Sequence, residues 1–179
     1  MRTAYDQADV ARLIDRLTGQ IAGAFDPNHP LNVIGIRTRG EALAQRITNL
    51  LQQKNGFQQI ARGVLDITMY RDDLSEVGPR PLVRPTEINI DIDAKPMLLV
   101  DDVLFTGRSV RSALNALIDF GRPSVIRLAV LADRGGRELP IQADFAALTL
   151  KDVAQDHRVN VRLQEIDGKD EIVVEPKGS

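Results

Sequence analysis

Two adjacent carboxylates, Asp101 and Asp102, close a short apolar run, Met97 to Val100, and Thr106, Gly107, Arg108 and Ser109 follow within a few residues. The run after Pro96 has the length and composition of a parallel-sheet strand covered on both faces. The two acids are read as sitting where that strand leaves the sheet, and open α/β sheets place ligands at the carboxyl ends of strands. The Thr-Gly-Arg-Ser turn offers hydroxyls, backbone N–H groups and a guanidinium just before an apolar-periodic helix (Val110, Leu114, Leu117, Ile118). A helix N-terminus so equipped favours a phosphate, through its unpaired N–H groups and its dipole. A phosphate beside two acids points to a phosphorylated sugar, with the acids on its hydroxyls or on Mg²⁺. Taken alone, the two acids fit an ordinary strand-to-helix junction with a capping Asp equally well. A second loop, Gly35-Ile-Arg-Thr-Arg-Gly40, has glycines that admit an oxyanion and two arginines to meet it; by itself it reads better as a plain turn.

These groups need a scaffold. A chain of 179 residues, 43% hydrophobic and 27% charged, is enough for one domain with a real core. No cysteine is present, which excludes disulfides, thiolate catalysis and Cys-based zinc sites, and His29 and His157 alone do not make a His-rich metal site. No apolar stretch approaches the roughly 20 residues of a membrane span, and the N-terminus lacks a signal-peptide core, so a cytoplasmic location is expected. A net charge of −2 gives no global attraction to nucleic acid.

Apolar periodicity predicts helices over Ala8 to Phe25 (Val10, Leu13, Ile14, Leu17, Ile21) and Gly40 to Leu51 (Ala42, Leu43, Ile47, Leu50). Strands are predicted over Leu31 to Ile36, Ile60 to Thr68, Ser124 to Leu131 and Ala143 to Leu148, with a short one over Ile88 to Ile92. Val159 to Leu163 and Glu171 to Val174, joined by Asp167-Gly168, read as a closing hairpin. Tyr70 to Pro85 has no period; such long irregular segments are usually functional. Strands alternating with helices imply an α/β fold with a mainly parallel sheet.

Val100-Asp-Asp-Val-Leu-Phe-Thr-Gly-Arg-Ser109 closely resembles the phosphoribosyl pyrophosphate (PRPP) motif of type I phosphoribosyltransferases, in a spelling similar to the PyrR family of pyrimidine attenuation regulators and uracil phosphoribosyltransferases. Three further segments follow in family order. Gly35 to Gly40 resembles the pyrophosphate loop, which implies that Thr38, Arg39 and Gly40 contact the diphosphate. Leu65 to Leu74, with Arg80 to Thr86, resembles the catalytic loop; the plain reading is a solvated loop, the sharper one a lid carrying Arg71 onto the diphosphate. Asp133-Arg-Gly-Gly-Arg-Glu-Leu-Pro140 resembles the segment beside the nucleobase, which makes Asp133 and Arg134 candidates for the base pocket, although Gly136 stands where the family has His. The first helix also departs from the family, with Arg16-Leu-Thr-Gly19 in place of an Arg-Ile-Ala-His run. The motif resemblance spans residues 8 to 146 and stops at Phe145.

The resemblance implies one phosphoribosyltransferase domain over 1–179, with a core of about 31–150 and a small hood from the terminal segments. The implied reaction is uracil + PRPP → UMP + pyrophosphate with Mg²⁺. Asp101, Asp102 and Arg71 would be catalytic, with Asp101 and Asp102 also near any metal, held mainly through PRPP. Val103, Leu104, Phe105, Thr106, Gly107, Arg108 and Ser109 would bind the 5′-phosphate. The family's second role implies a UMP-sensing, RNA-binding attenuator, to which Arg12, Arg16, Arg46 and Arg137 would contribute; the missing histidines and altered tail count against a pyrimidine-operon leader RNA as partner. A different base is a further alternative, and a homodimer is expected.

Overall fold

The computed structural model describes residues 2–68, 86–151 and 153–177. In chain order the elements are β1 (Arg2–Tyr5), α1 (Gln7–Ala22), β2 (Leu31–Ile36), α2 (Arg39–Lys54), β3 (Ile60–Leu65), β4 (Pro96–Leu104), α3 (Arg108–Leu117), β5 (Val125–Asp133), β6 (Phe145–Thr149), β7 (His157–Arg162), α4 (Gln164–Asp167) and β8 (Glu171–Pro176). A five-stranded parallel sheet runs in the order β3-β2-β4-β5-β6. Both terminal segments join in a three-stranded antiparallel sheet, β1-β8-β7.

The parallel sheet is covered on both faces, which is why its central strands read as continuous apolar runs. Period two divides each strand between two cores. Leu98 and Val100 of β4 pack with Leu13, Leu17, Leu43 and Ile47 of α1 and α2, whereas Met97 and Leu99 pack with Val110, Ala113 and Leu117 of α3. α1 opens with a full capping box, in which Asp6 and Asp9 each accept the other's backbone N–H. α2 and α3 start at Thr38 and Gly107 with no side-chain cap.

Three expectations need correction. β4 does not end at Val100: it continues to Leu104 alongside β5, while its pairing with β2 stops at Val100. The acids therefore lie on a strand that has outrun one neighbour. Ile88 to Ile92 forms no strand; only Glu87 bridges to Val64. The carboxylate of Asp91 accepts the Asp93 N–H, and the Asn32 side-chain amide donates to the Asp91 carbonyl, so side-chain bonds replace a ladder. Ile118 is 74% exposed, because α3 ends one residue earlier and the period ends with it. Among the described residues no helix is long and apolar enough to cross a membrane.

Candidate active site at the carboxyl edge of the parallel sheet

β2 and β4 both end at one edge, and each feeds a loop that opens a helix without a side-chain cap. The loop after β4 surrounds a cavity of about 260 Å³ lined by Asp101 and by Val103, Leu104, Phe105, Thr106, Gly107, Arg108 and Ser109. Gly107 has φ 93°, a left-handed conformation that turns the chain into α3. The Thr106 hydroxyl accepts the Arg108 N–H at 3.3 Å. All of the residues expected to bind phosphate thus surround one concavity.

The loop after β2 lies against the two acids. A Cβ on Gly40 would stand 2.5 Å from the Val100 carbonyl oxygen, so only glycine permits this approach. Thr38 is exposed, and the Arg37–Thr38 peptide bond is cis. Arg37 does not face outward as expected of an anion ligand. Its side chain is 10% exposed and is directed to Glu41 and Glu87. Arg39 remains half-exposed. Asp167 of α4 accepts from its Nε at 3.1 Å and from its Nη2 at 2.7 Å.

Asp101 and Asp102 are brought together but are not equivalent. Asp101 is buried, lines the cavity over α3, and accepts the Asp102 N–H at 2.9 Å. Asp102 accepts the Val103 N–H at 2.9 Å and lies near enough to Arg39 to feel its charge. Burial pushes the Asp102 carboxyl above the usual aspartate range, against the opposing pull of Asp101, the Val103 N–H and Arg39. Among the described residues no group of three or more metal-binding side chains gathers. The hard oxygen donors at this edge are these two carboxylates.

The segment after β5 closes the far side. Thr106 O accepts from the N–H groups of Glu138 and Leu139, and Leu104 O accepts from Arg134 N. Arg137, which sequence reasoning assigned to an RNA surface, instead fastens this segment to the phosphate loop. Its Nη1 donates to Phe105 O at 2.9 Å, its Nε to Ile141 O at 2.8 Å and its Nη2 to Asp133 at 2.5 Å. Asp133 and Arg134 border a cleft of about 780 Å³ that also reaches Thr149, Lys151 and Val153. The Asp133 carboxylate is held within its own loop by Arg137 and the Gly135 N–H. Arg134 lies 3.8 Å over the Phe105 ring and donates to His157 O; burial draws it below the usual arginine range. Gly136 presses on that ring, since a Cβ there would be 2.5 Å from Phe105 Cε2. The histidine of the family motif would not fit this packing.

Arg71 and most of the segment resembling the catalytic loop lie outside the described residues. The two ends of that segment are stitched together. Val64 and Glu87 exchange backbone bonds at 2.9 and 2.8 Å, and Asp66 N donates to the Thr86 hydroxyl at 3.1 Å.

A strand–loop–helix pair thus brings together helix starts without side-chain caps, two carboxylates and a glycine-permitted backbone approach, groups suited to an anion beside hydroxyls. The chain matches the phosphoribosyl transferase domain over residues 2–167. It belongs to the PyrR proteins of the phosphoribosyltransferase family. It is 46% identical over 168 residues to the bifunctional protein PyrR of Deinococcus radiodurans, covering 94% of this chain and 91% of that one. With the PyrR protein of Thermus aquaticus it shares 47% over 164 residues, 92% and 90% of the two chains. The family relationship therefore continues beyond Phe145, where the motif resemblance was read to stop. The fold is also that of the hypoxanthine-guanine phosphoribosyltransferase of Leishmania tarentolae solved with GMP, with TM-score 0.72, 14% identity and coverage of 99% and 97%. The phosphoribosyltransferase family thus accounts for the parallel sheet and for the loops at its carboxyl edge.

Sequence reasoning missed Arg137 as a fastener and Asp167 as the partner of Arg39. Nothing local marks either one, since both depend on which loops the sheet order brings together.

Proposed function

We propose that this protein is a uracil phosphoribosyltransferase, converting uracil and PRPP to UMP and pyrophosphate with inversion at the anomeric carbon. The observation that carries the reading is the cavity over Thr106–Ser109 with Asp101 on its wall, in a chain whose relatives are named bifunctional PyrR proteins. Thr106 to Ser109 hold the 5′-phosphate against the start of α3. Asp101 and Asp102 orient the ribose hydroxyls and stabilise positive charge on the sugar as the C–O bond to the diphosphate breaks. Thr38, Arg39 and Gly40 receive the diphosphate, and Arg71 is assigned to it by motif resemblance. Asp133 and Arg134 border the base. Mg²⁺ fits the hard oxygen donors at this edge; when bound with PRPP it neutralises diphosphate charge, with Asp101 and Asp102 the residues to hold it. No side chain here stands out as a general base, and uracil is acidic enough to react without a strong one. We take the chain as one domain, with the β1-β8-β7 sheet as its hood, acting in the cytoplasm as a homodimer; sedimentation equilibrium tests the dimer.

The relatives' name favours a second role, the UMP-sensing RNA attenuator. It ranks second because the arginines expected to serve it are engaged within the protein. Arg46 is bound by Glu165 and Asp170, Arg16 by Ala147 O and Arg137 by the phosphate loop, which leaves Arg12, paired with Asp9 at the surface, as the exposed one.

The test is incubation of the purified protein with PRPP, Mg²⁺ and each nucleobase in turn. UMP formed from uracil alone is expected. Product from another base overturns the base assignment and keeps the reaction. No product from any base, with UMP still bound, moves the regulator ahead.

A further inference from the structure

α4 is a single turn of the hood, yet its carboxylates engage α2 at two separate arginines. Arg46 donates through Nε and Nη2 to Glu165, and through Nη1 and Nη2 to Asp170. That grip already fastens the hood to the core. Asp167 makes a different contact, to Arg39, the first residue of α2 and part of the loop assigned to the diphosphate.

The geometry of this second contact exceeds what fastening needs. Asp167 Oδ2 also accepts the Leu163 N–H at 2.9 Å, so the carboxylate is fixed by its own turn before Arg39 meets it. It occupies the Nε–Nη2 edge of the guanidinium, which leaves Nη1 for another acceptor. Asp102 lies on the charge field of the same group. Arg39 therefore sits between a fixed carboxylate of the hood and an acid of the reaction edge, with its orientation set and one donor edge uncommitted.

We propose that Asp167 is a positioning residue for PRPP: it orients Arg39 so that the free edge of the guanidinium receives the diphosphate. The inference rests on the proposed function and deepens it, by making the hood a part of the diphosphate site. A guanidinium tethered by a flexible stem loses rotamer freedom on binding an anion; one already held does not.

The experiment compares Asp167→Asn, Asp167→Glu and Asp170→Asn, alone and, for Asp167→Asn, combined with Arg39→Ala, by steady-state kinetics and thermal melting. Asp167→Asn is expected to raise KM for PRPP about tenfold, with KM for uracil unchanged. Asp167→Glu, which keeps the charge and displaces it, is expected to fall between wild type and Asp167→Asn, and it serves if the amide variant folds poorly. Asp170→Asn weakens the grip on Arg46 and is expected to lower Tm without changing either KM. On the Arg39→Ala background Asp167→Asn should have no further effect, the non-additivity of a residue acting through its partner. If Asp167→Asn and Asp170→Asn change only Tm, or the double variant is additive, the positioning role is overturned while the reaction stands. If Asp167→Asn lowers KM for PRPP, Asp167 competes with the diphosphate and the proposal is also overturned. If wild type neither makes UMP nor binds PRPP or pyrophosphate, the functional reading itself fails.

Discussion

Replacing Asp102 by Asn separates what this carboxylate contributes to the reaction from what it does to the fold. Its folded pKa is raised by burial, so the stability it contributes is present below the ordinary aspartate value of 3.8 and is lost as pH rises through the raised value. Near neutrality, where the unfolded chain carries it ionised, its burial opposes folding. Asp102→Asn is therefore expected to raise Tm at pH 7, measured by calorimetry, while UMP formation falls by about 10²–10³-fold, as when a charge-stabilising group is removed from a transition state. At Gly40 the reverse is expected. Gly40→Ala forces a methyl toward the Val100 carbonyl, which should cost about 1–3 kcal/mol in urea unfolding and weaken PRPP binding, because the loop must retreat from the acids. The sequence made the placement of these residues partly legible, since Asp101, Asp102 and Thr106 to Ser109 fall close together before the start of α3, although the strand carrying the acids runs on to Leu104. Arg37 was misread because its charge suggested an anion, whereas Glu41 and Glu87 reach it only after folding.

At the scale of elements, the grip of α4 and the turn after it on α2 makes the hood sensitive to acid. Arginines hold Glu165, Asp167 and Asp170 below their ordinary values of 4.5, 3.8 and 3.8. Their contribution is fully present above those values and disappears as pH falls through the lowered ones. Stability should thus drop as pH falls below about 4.5, and Arg46→Met should remove the part of that drop due to Glu165 and Asp170 while costing roughly 2 kcal/mol at pH 7, between the values typical of exposed and of buried pairs. Melting curves across that range check both. The sequence specified the elements unevenly. Leu31–Ile36 matched its prediction end to end, because a strand covered on both faces is mostly apolar, here broken only by Asn32 and Gly35. β4 was read short, because a polar pair looks like an exit even where β5 continues to pair with it. α4 was read as part of a hairpin link, since one helical turn has no period to detect.

For the molecule as a whole, charge is largely balanced internally. With Arg46 and Arg137 committed to intramolecular partners and a net charge of −2, a pyrimidine-operon leader RNA is expected to bind no more tightly than a scrambled RNA and to dissociate by about 0.2 M salt; filter binding at several salt concentrations decides it. The antiparallel sheet has a different consequence. β8 follows its partner β1 far along the chain, so it is synthesised on the order of ten seconds later at ordinary translation rates. The parallel sheet and both of its loops can assemble on the ribosome in that interval, whereas α4 and the acid that meets Arg39 arrive afterwards. Vectorial synthesis therefore places the two loops before the turn that carries Asp167, so that on the proposed reading the loops form before the carboxylate that orients Arg39.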